Sequence, residues 1–135
     1  MSKISVEIVT PEKKLLNVEV EEAKIPGFHG LFGVRAGHTP FLSLMQPGVL
    51  SLLDGNSTQN YFVAGGFVEV GQDDTVCVLA DAAEPISAID VAAAQKRLEE
   101  AQSRLKGLSV DDVRFEVEQA TVRRETARVS AGSLR

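Results

Sequence analysis

Residues 75–105 read TVCVLADAAEPISAIDVAAAQKRLEEAQSRL, and the hydrophobic period changes inside them. Thr75-Val76-Cys77-Val78-Leu79 is a run of β-branched and aliphatic residues of strand length. Past Asp81-Ala82-Ala83-Glu84-Pro85, Val91, Ala94, Leu98, Ala101, Leu105 and Leu108 recur at alternating intervals of three and four, which is the spacing of one helix face. The boundary between two kinds of structure therefore falls at Pro85, giving a domain over 1–85 and a second over 86–135.

Downstream, Ser87 with Asp90 resembles a capping box, and Gly107 can close the first helix. Ser109 with Asp112 starts a second helix, whose expected stripe is Val113, Val117, Ala120 and, beyond a polar interruption at Arg124, Ala127. The connection is only a few residues, so the helices are expected to be antiparallel neighbours, with the tail SAGSLR after Val129 frayed. Alanine and valine dominate the stripes. A buried methyl contributes about 0.8 kcal/mol against roughly 1.5–3 kcal/mol for a whole Leu or Phe, so the hairpin is thinly packed. It is stable only when docked on something. Two readings stand: it packs permanently on the first domain, or it moves when two docking surfaces compete.

Upstream, short strands prevail. Ile4, Val6 and Ile8 alternate with Ser5 and Glu7, and Leu16, Val18 and Val20 alternate with Asn17 and Glu19. Val49–Leu53 runs to Asp54-Gly55, a turn signal, and Tyr61–Ala64, Phe67–Val70 and Thr75–Leu79 follow. Gly65-Gly66 between two of these reads as a bulge rather than a nucleotide cradle. The fold class is α+β, mainly β: an antiparallel sandwich followed by an antiparallel two-helix hairpin. Between Ile25 and Leu50 lie five glycines, three prolines and both histidines, among Phe28, Leu31, Phe32, Val34, Phe41, Leu42 and Leu44. Apolar side chains on tight turns at a sheet edge make a surface suited to another protein.

Charge is uneven. Residues 1–86 hold 5 basic and 11 acidic side chains, and residues 87–135 hold 9 and 8. The acidic front argues against nucleic-acid binding, which relies on neutralising phosphates. No apolar run approaches the roughly 20 residues of a membrane span, and MSKISVEIVTPEKK lacks the apolar centre of a signal peptide. The single cysteine, Cys77, fits a reducing compartment and reads as a buried thiol. Catalytic chemistry is not expected: there is no metal-ligand spacing around His29 and His38, no nucleophile elbow and no phosphate loop. The histidines read as turn residues bonded to backbone, and Asp81 and Glu84 as turn-forming and solvating carboxylates.

VTPE at 9–12, PGxxGxxGV from Pro26 to Val34, Gly37-His38-Thr39-Pro40, Pro47-Gly48, GGFVEV at 65–70 and LADAAE at 79–84 followed by Ile89-Asp90 closely resemble the epsilon subunits of bacterial and chloroplast F-type ATP synthases. The order and spacing match along nearly the whole chain. The resemblance implies a non-catalytic rotor subunit of the central stalk, coupling proton flow to ATP synthesis at the cytoplasmic side of a bacterial inner membrane without inserting in it. It implies the gamma subunit, the c-subunit ring and the alpha/beta catalytic subunits as partners. Phe28, His29, Leu31, Phe32, Val34, His38 and Phe41 are the candidates for the c-ring and gamma interface. The hairpin would inhibit hydrolysis by extending along gamma, with Arg123, Arg124 and Arg128 either a solvated face or the basic end that meets acidic segments of the beta subunits. Many relatives have Pro at Ala36, and some an acidic residue at Leu31. Some relatives bind ATP through an Ile or Leu, an Asp and an Arg three residues later; here Glu84, Ile89, Asp90 and Arg123 are weak candidates, because Ala93 stands at the Arg position. A freestanding ATP-binding sensor is the alternative, and neither a metal nor a tightly held cofactor is expected.

Overall fold

A computed structural model describes residues 2–134, which divide into two compact units at Pro85. In the first, ten strands run β1 (Ile4–Val9), β2 (Lys14–Val20), β3 (Glu22–Gly27), β4 (Gly30–Arg35), β5 (Phe41–Met45), β6 (Gly48–Asp54), β7 (Ser57–Val63), β8 (Gly66–Val70), β9 (Thr75–Ala80) and β10 (Ala83–Pro85). They form one hydrogen-bonded sheet in the order β10-β7-β6-β3-β5-β8-β9-β1-β2, with β4 paired to β3. Nine of the strands send side chains into a single buried cluster that includes Ile4, Val6, Ile25, Val34, Leu50, Leu52, Val63, Val68 and Val78, so the sheet folds over on itself as a sandwich.

Pairing is antiparallel except between β1 and β9, which run parallel from Ser5↔Thr75 to Val9↔Leu79. The backbone N–H of Ser5 donates to the carbonyl of Asp74 at the end of that ladder. The glycine- and proline-rich stretch is more regular than its composition suggests. It supplies β3, β4 and β5, and only Phe28-His29 form the turn between the first two. Ala23, Ile25 and Val34 keep the inward parity that holds these strands to the core.

Cys77 takes the opposite parity from Val76, Val78 and Ala80 on β9, so it is half-buried on the outer face and not in the core. Its register neighbours there are Glu7 and Glu69. Burial pushes its thiol pKa up, the two carboxylates push the same way, and Lys14 opposes them.

In the second unit a 3-10 turn, Ile86–Ala88, precedes α1 (Val91–Lys106) and α2 (Val113–Gly132). The caps differ from the boxes read in the sequence. Asp90 itself is the N-cap of α1, accepting from Ala93 N at 3.0 Å, and Asp112 is the N-cap of α2, accepting from Arg114 N at 2.9 Å. Ser109 instead accepts from Asp111 N in the turn between the helices. Gly107 ends α1 as expected. The tail is not frayed where it is described: Ala131 and Gly132 are buried and Ser133 caps α2, while Arg135 lies outside the described residues. A Cβ at Gly132 would come within 2.5 Å of Val91 Cγ2 and 3.1 Å of Ile89 Cγ2, so a glycine lets the end of α2 close on the start of α1.

Gly66 opens β8 at φ +119°, and a Cβ there would strike the carbonyl oxygen of Leu79 on β9. Both the dihedral and the close approach exclude a side chain. Gly66→Ala is expected to cost about 3 kcal/mol or more, read as a fall in Tm of the full chain on the order of 10 °C in a calorimetric scan.

Candidate interaction surfaces

The β3–β4 hairpin and the start of β5 build the first surface. Phe28 and Leu31 stand 60% and 66% exposed at and beside the turn. Phe32 packs edge-on against Phe41 at 5.1 Å between ring centroids, and His38 lies against the same Phe41 ring at 5.2 Å. His29, Leu31, Phe32, His38 and Phe41 together line an open hollow of about 340 Å³ with Gly27, Gly30 and Ser43. Five of the seven interface candidates thus converge on one depression. Phe28 lies beside it, its ring against His29 and its N–H donating to the Leu44 carbonyl. Val34 is a correction: at 1% exposure it belongs to the core, because alternation on β4 turns it inward, and it offers nothing to a partner.

His38 is held by backbone, as a turn histidine should be. Its N–H donates to the Arg35 carbonyl, and its Nδ1 lies 2.7 Å from the Thr39 carbonyl oxygen, where a ring N–H donates. One residue earlier, Gly37 N–H donates to Asp74 Oδ1 at 2.8 Å. Asp74 sits at φ +60° in the β8–β9 turn, so that turn fixes where the hollow's rim stands.

A second surface crosses the outer face of β5, β8 and β9. Leu44, Phe67 and Leu79 are register partners across the three strands, each about half exposed, and Leu42 at 66% continues the row on β5. Leu42 and Leu44 belong to the stretch read as docking, but they leave the hollow and join this face. Phe67 and Leu79 went unrecognised as surface residues. The signal was present: Phe67-Val68 and Val78-Leu79 put apolar side chains on both faces of their strands, which a half-solvated sheet does not need.

The hairpin's inner line differs from the one predicted. Val113 and Val117 are 89% and 63% exposed and Ala120 is exposed, whereas Phe115, Glu118, Val122 and Glu125 face inward to different depths. Charge explains the shift. Glu118 Oε2 accepts from Arg104 Nε of α1 at 2.6 Å, and the fully buried Glu125 accepts from Arg97 Nε of α1 at 3.0 Å on Oε1. On Oε2 Glu125 also accepts from Arg124 Nε at 3.1 Å and from Arg128 Nη1. A search for an apolar stripe passes over a buried line built from ion pairs.

Of the three arm candidates, Arg124 and Arg128 are therefore engaged with Glu125, and Arg123 is exposed. At the start of α2 the bidentate Arg114 guanidinium pulls the Asp112 carboxyl down to about 2. Among the ATP candidates, Glu84 lies on β10 opposite Phe62, in the sheet unit. Ile89 is buried in the helical unit, and Asp90 commits one oxygen to the cap of α1. No group of His, Cys, Asp and Glu among the described residues could hold a metal ion, and no helix among them is long and apolar enough to cross a membrane.

Comparison with known proteins gives the surfaces their context. Residues 3–86 match the family model described as the beta-sandwich domain of the ATP synthase Delta/Epsilon chain. The ATP synthase epsilon chain of Myxococcus xanthus (strain DK1622) is 62% identical over 133 residues, covering 98% of this chain and 97% of its own length. That of Anaeromyxobacter sp. (strain K) is 45% identical over 127 residues, covering 94% and 96%. The class of protein is thus a β-sandwich followed by a helical hairpin, and the chain belongs to the family of ATP synthase epsilon chains. The fold is shared with a chain in the structure of Euglena gracilis mitochondrial ATP synthase, OSCP/F1/c-ring (TM-score 0.79, 24% identity, 100% of this chain and 83% of that one). It is shared also with a chain in the central stalk/c-ring structure of Tetrahymena thermophila mitochondrial ATP synthase (TM-score 0.66, 20% identity, 95% and 97%).

The Glu125 cluster makes a pH prediction. Burial alone would raise this carboxyl, but the hydrogen bonds from Arg128, Arg124 and Arg97 outweigh it and hold the pKa below the ordinary value. A depressed carboxyl stabilises the fold fully above its unfolded value, about 4.3, and that contribution is lost as pH falls through the lower folded value. In ¹³C-carboxyl NMR of the full chain, the Glu125 signal is expected to titrate below that of an unperturbed glutamate, with the stability of the helices falling across the interval between the unfolded and folded values.

Proposed function

We propose that this chain is the non-catalytic epsilon subunit of an F-type ATP synthase, a peripheral rotor component on the cytoplasmic side of a bacterial inner membrane. The observation that carries the reading is the pair of exposed apolar surfaces on the sandwich, in a chain of the epsilon family. Side chains about half or more exposed, as Leu42, Leu44, Phe67 and Leu79 are, each gain about 1 kcal/mol or more when a partner covers them. A flat row of that kind across three strands suits a long helical partner, and we assign it to the gamma subunit. The hollow around Phe32, His38 and Phe41, with Phe28 and Leu31 at its rim, is assigned to the c-subunit ring. Two fixed contacts on one rigid sandwich let it transmit the turning of the ring to gamma, which couples proton translocation to ATP synthesis.

The helical unit supplies regulation in this reading. Its closed form leaves Val110, Val113 and Val117 outside, an apolar line with no use in a permanently closed hairpin. Extended along gamma, the arm would bury that line, bring Arg123, Arg124 and Arg128 toward the alpha and beta subunits, and obstruct rotation in the hydrolysis direction. The ATP-sensor alternative is disfavoured by Ala93, which offers no guanidinium, and by the engagement of Asp90 as a cap.

The test is ATP hydrolysis by the reconstituted catalytic complex with the full chain, a chain ending at Pro85, and Phe67→Glu. Truncation is expected to raise hydrolysis several-fold with assembly intact. Phe67→Glu is expected to weaken incorporation by about tenfold or more, as a charge forced into an apolar contact does. Normal incorporation of Phe67→Glu would overturn the assignment of the sheet face, and unchanged hydrolysis on truncation would overturn the inhibitory arm.

A further inference from the structure

We propose that Asp74 is a positioning residue for the hollow: its carboxylate, reaching from the β8–β9 turn to the backbone of the β4–β5 loop, holds the His38 rim in the shape that a partner reads. The proposal rests on the assignment of that hollow to the c-subunit ring and concerns what keeps it ready for contact.

The loop between β4 and β5, residues 36–40, has little to hold it. None of its residues is fully buried. Two of its hydrogen bonds are local, from His38 N–H to the Arg35 carbonyl and between His38 Nδ1 and the Thr39 carbonyl. The third runs from Gly37 N–H to Asp74 Oδ1 at 2.8 Å, joining positions 37 residues apart in the chain. An amide N–H on a carboxylate is stronger than one on a neutral acceptor, so this bond is the principal tie of the loop.

The anchor is braced where the loop is not. Gly71 N–H donates to the Thr75 carbonyl and Thr75 Oγ1 to Asp73 Oδ1, each at 2.8 Å, which closes the β8–β9 turn. The Asp74 carbonyl accepts from Ser5 N–H at 2.8 Å, so the residue joins β1 with its backbone and the loop with its side chain. Among the described residues it is the one non-glycine with a left-handed backbone, at φ +60°. Glycine would meet that dihedral with less strain, so the dihedral does not account for a carboxylate here. The bond to Gly37 does.

His38 follows Gly37 directly, and its imidazole lies against Phe41, which packs on Phe32. Freeing Gly37 lets that wall of the hollow move, and a partner then loses binding free energy to ordering it. The same turn joins β8 to β9, which carry Phe67 and Leu79. The rim of one surface is thus fixed to the strands that bear the other.

Two variants of the full chain separate side chain from backbone. Asp74→Gly removes the carboxylate, relaxes the dihedral and keeps the carbonyl that Ser5 uses, whereas Asp74→Asn keeps an acceptor oxygen and suits the same dihedral. Amide hydrogen exchange and the ¹H shifts of the His38 imidazole are read on the free chain. Binding is measured to the isolated c ring in detergent and to the catalytic complex containing gamma. Asp74→Gly is expected to speed exchange at Gly37 roughly tenfold or more, to move the His38 signals toward those of an imidazole free of Phe41, and to weaken c-ring binding about tenfold. Binding to the gamma complex and exchange at the core amides of Val68 and Val78 are expected to stay native, and Asp74→Asn to recover most of each loss. Unchanged Gly37 exchange and His38 shifts in Asp74→Gly would overturn the proposal. So would loosening that spreads to Val68 and Val78, or an equal loss of gamma binding, since the residue would then serve the whole sandwich. Phe28→Glu, placed beside the hollow, separates the two levels. If it weakens c-ring binding and Asp74→Gly does not, only the positioning role fails; if neither does, the assignment of the hollow to the c ring fails and the proposal with it.

Discussion

Each element here has one inward face, and the chain carries more apolar side chains than those faces can take. In the sandwich the pleat sends alternate residues to opposite sides, so Val68, Val70, Val76 and Val78 fill the core only by placing Phe67 and Leu79 outside. In the hairpin the inward line of α2 is given to Glu118, Glu125 and their arginines, which leaves Val113 and Val117 to solvent. The surplus is ordered, lying in rows that match across strands or along one helix face. Rows of that kind define where partners fit.

The two units answer the constraint with different energetics. The sandwich shares one continuous core among nine strands and is tied by close backbone contacts such as that at Gly66. Loss of one contact is absorbed by many others, so its surfaces stand in fixed positions. The helical unit buries Ile86, Ile89, Leu98, three alanines and the carboxylate of Glu125. A buried ion pair contributes less net stability than apolar residues of the same volume, yet it is demanding of geometry. A unit of that kind suits the two-state arm proposed above.

Much of this is legible in the sequence, and the failures have physical causes. The change of period at Pro85 locates the boundary between units, and alternation in Ile4–Ile8 and Thr75–Leu79 locates strands whose inward residues are the observed core. Val34 was misplaced because parity within β4 depends on where the turn at Phe28-His29 sets the register, which composition does not reveal. The parallel pairing of β1 with β9 is invisible for a related reason, since a strand's own pattern carries no record of its neighbour's direction. The hairpin face differs from the expected one by roughly half a turn, because apolar periodicity assumes an apolar interface, and Arg97, Arg104, Glu118 and Glu125 are paired across this one instead. His38 and its rim were located by motif, but their dependence on Asp74, far along the chain, needed the fold.

The most direct measurement is hydroxyl-radical footprinting of the chain alone and within the assembled ATP synthase, read at single side chains. The account predicts that oxidation of Phe28, Leu42, Leu44, Phe67 and Leu79 falls several-fold on assembly, because these are the residues the sandwich leaves outside for partners. Equal oxidation of Leu44 and Phe67 in the two states, in a complex shown to contain the chain, would contradict it.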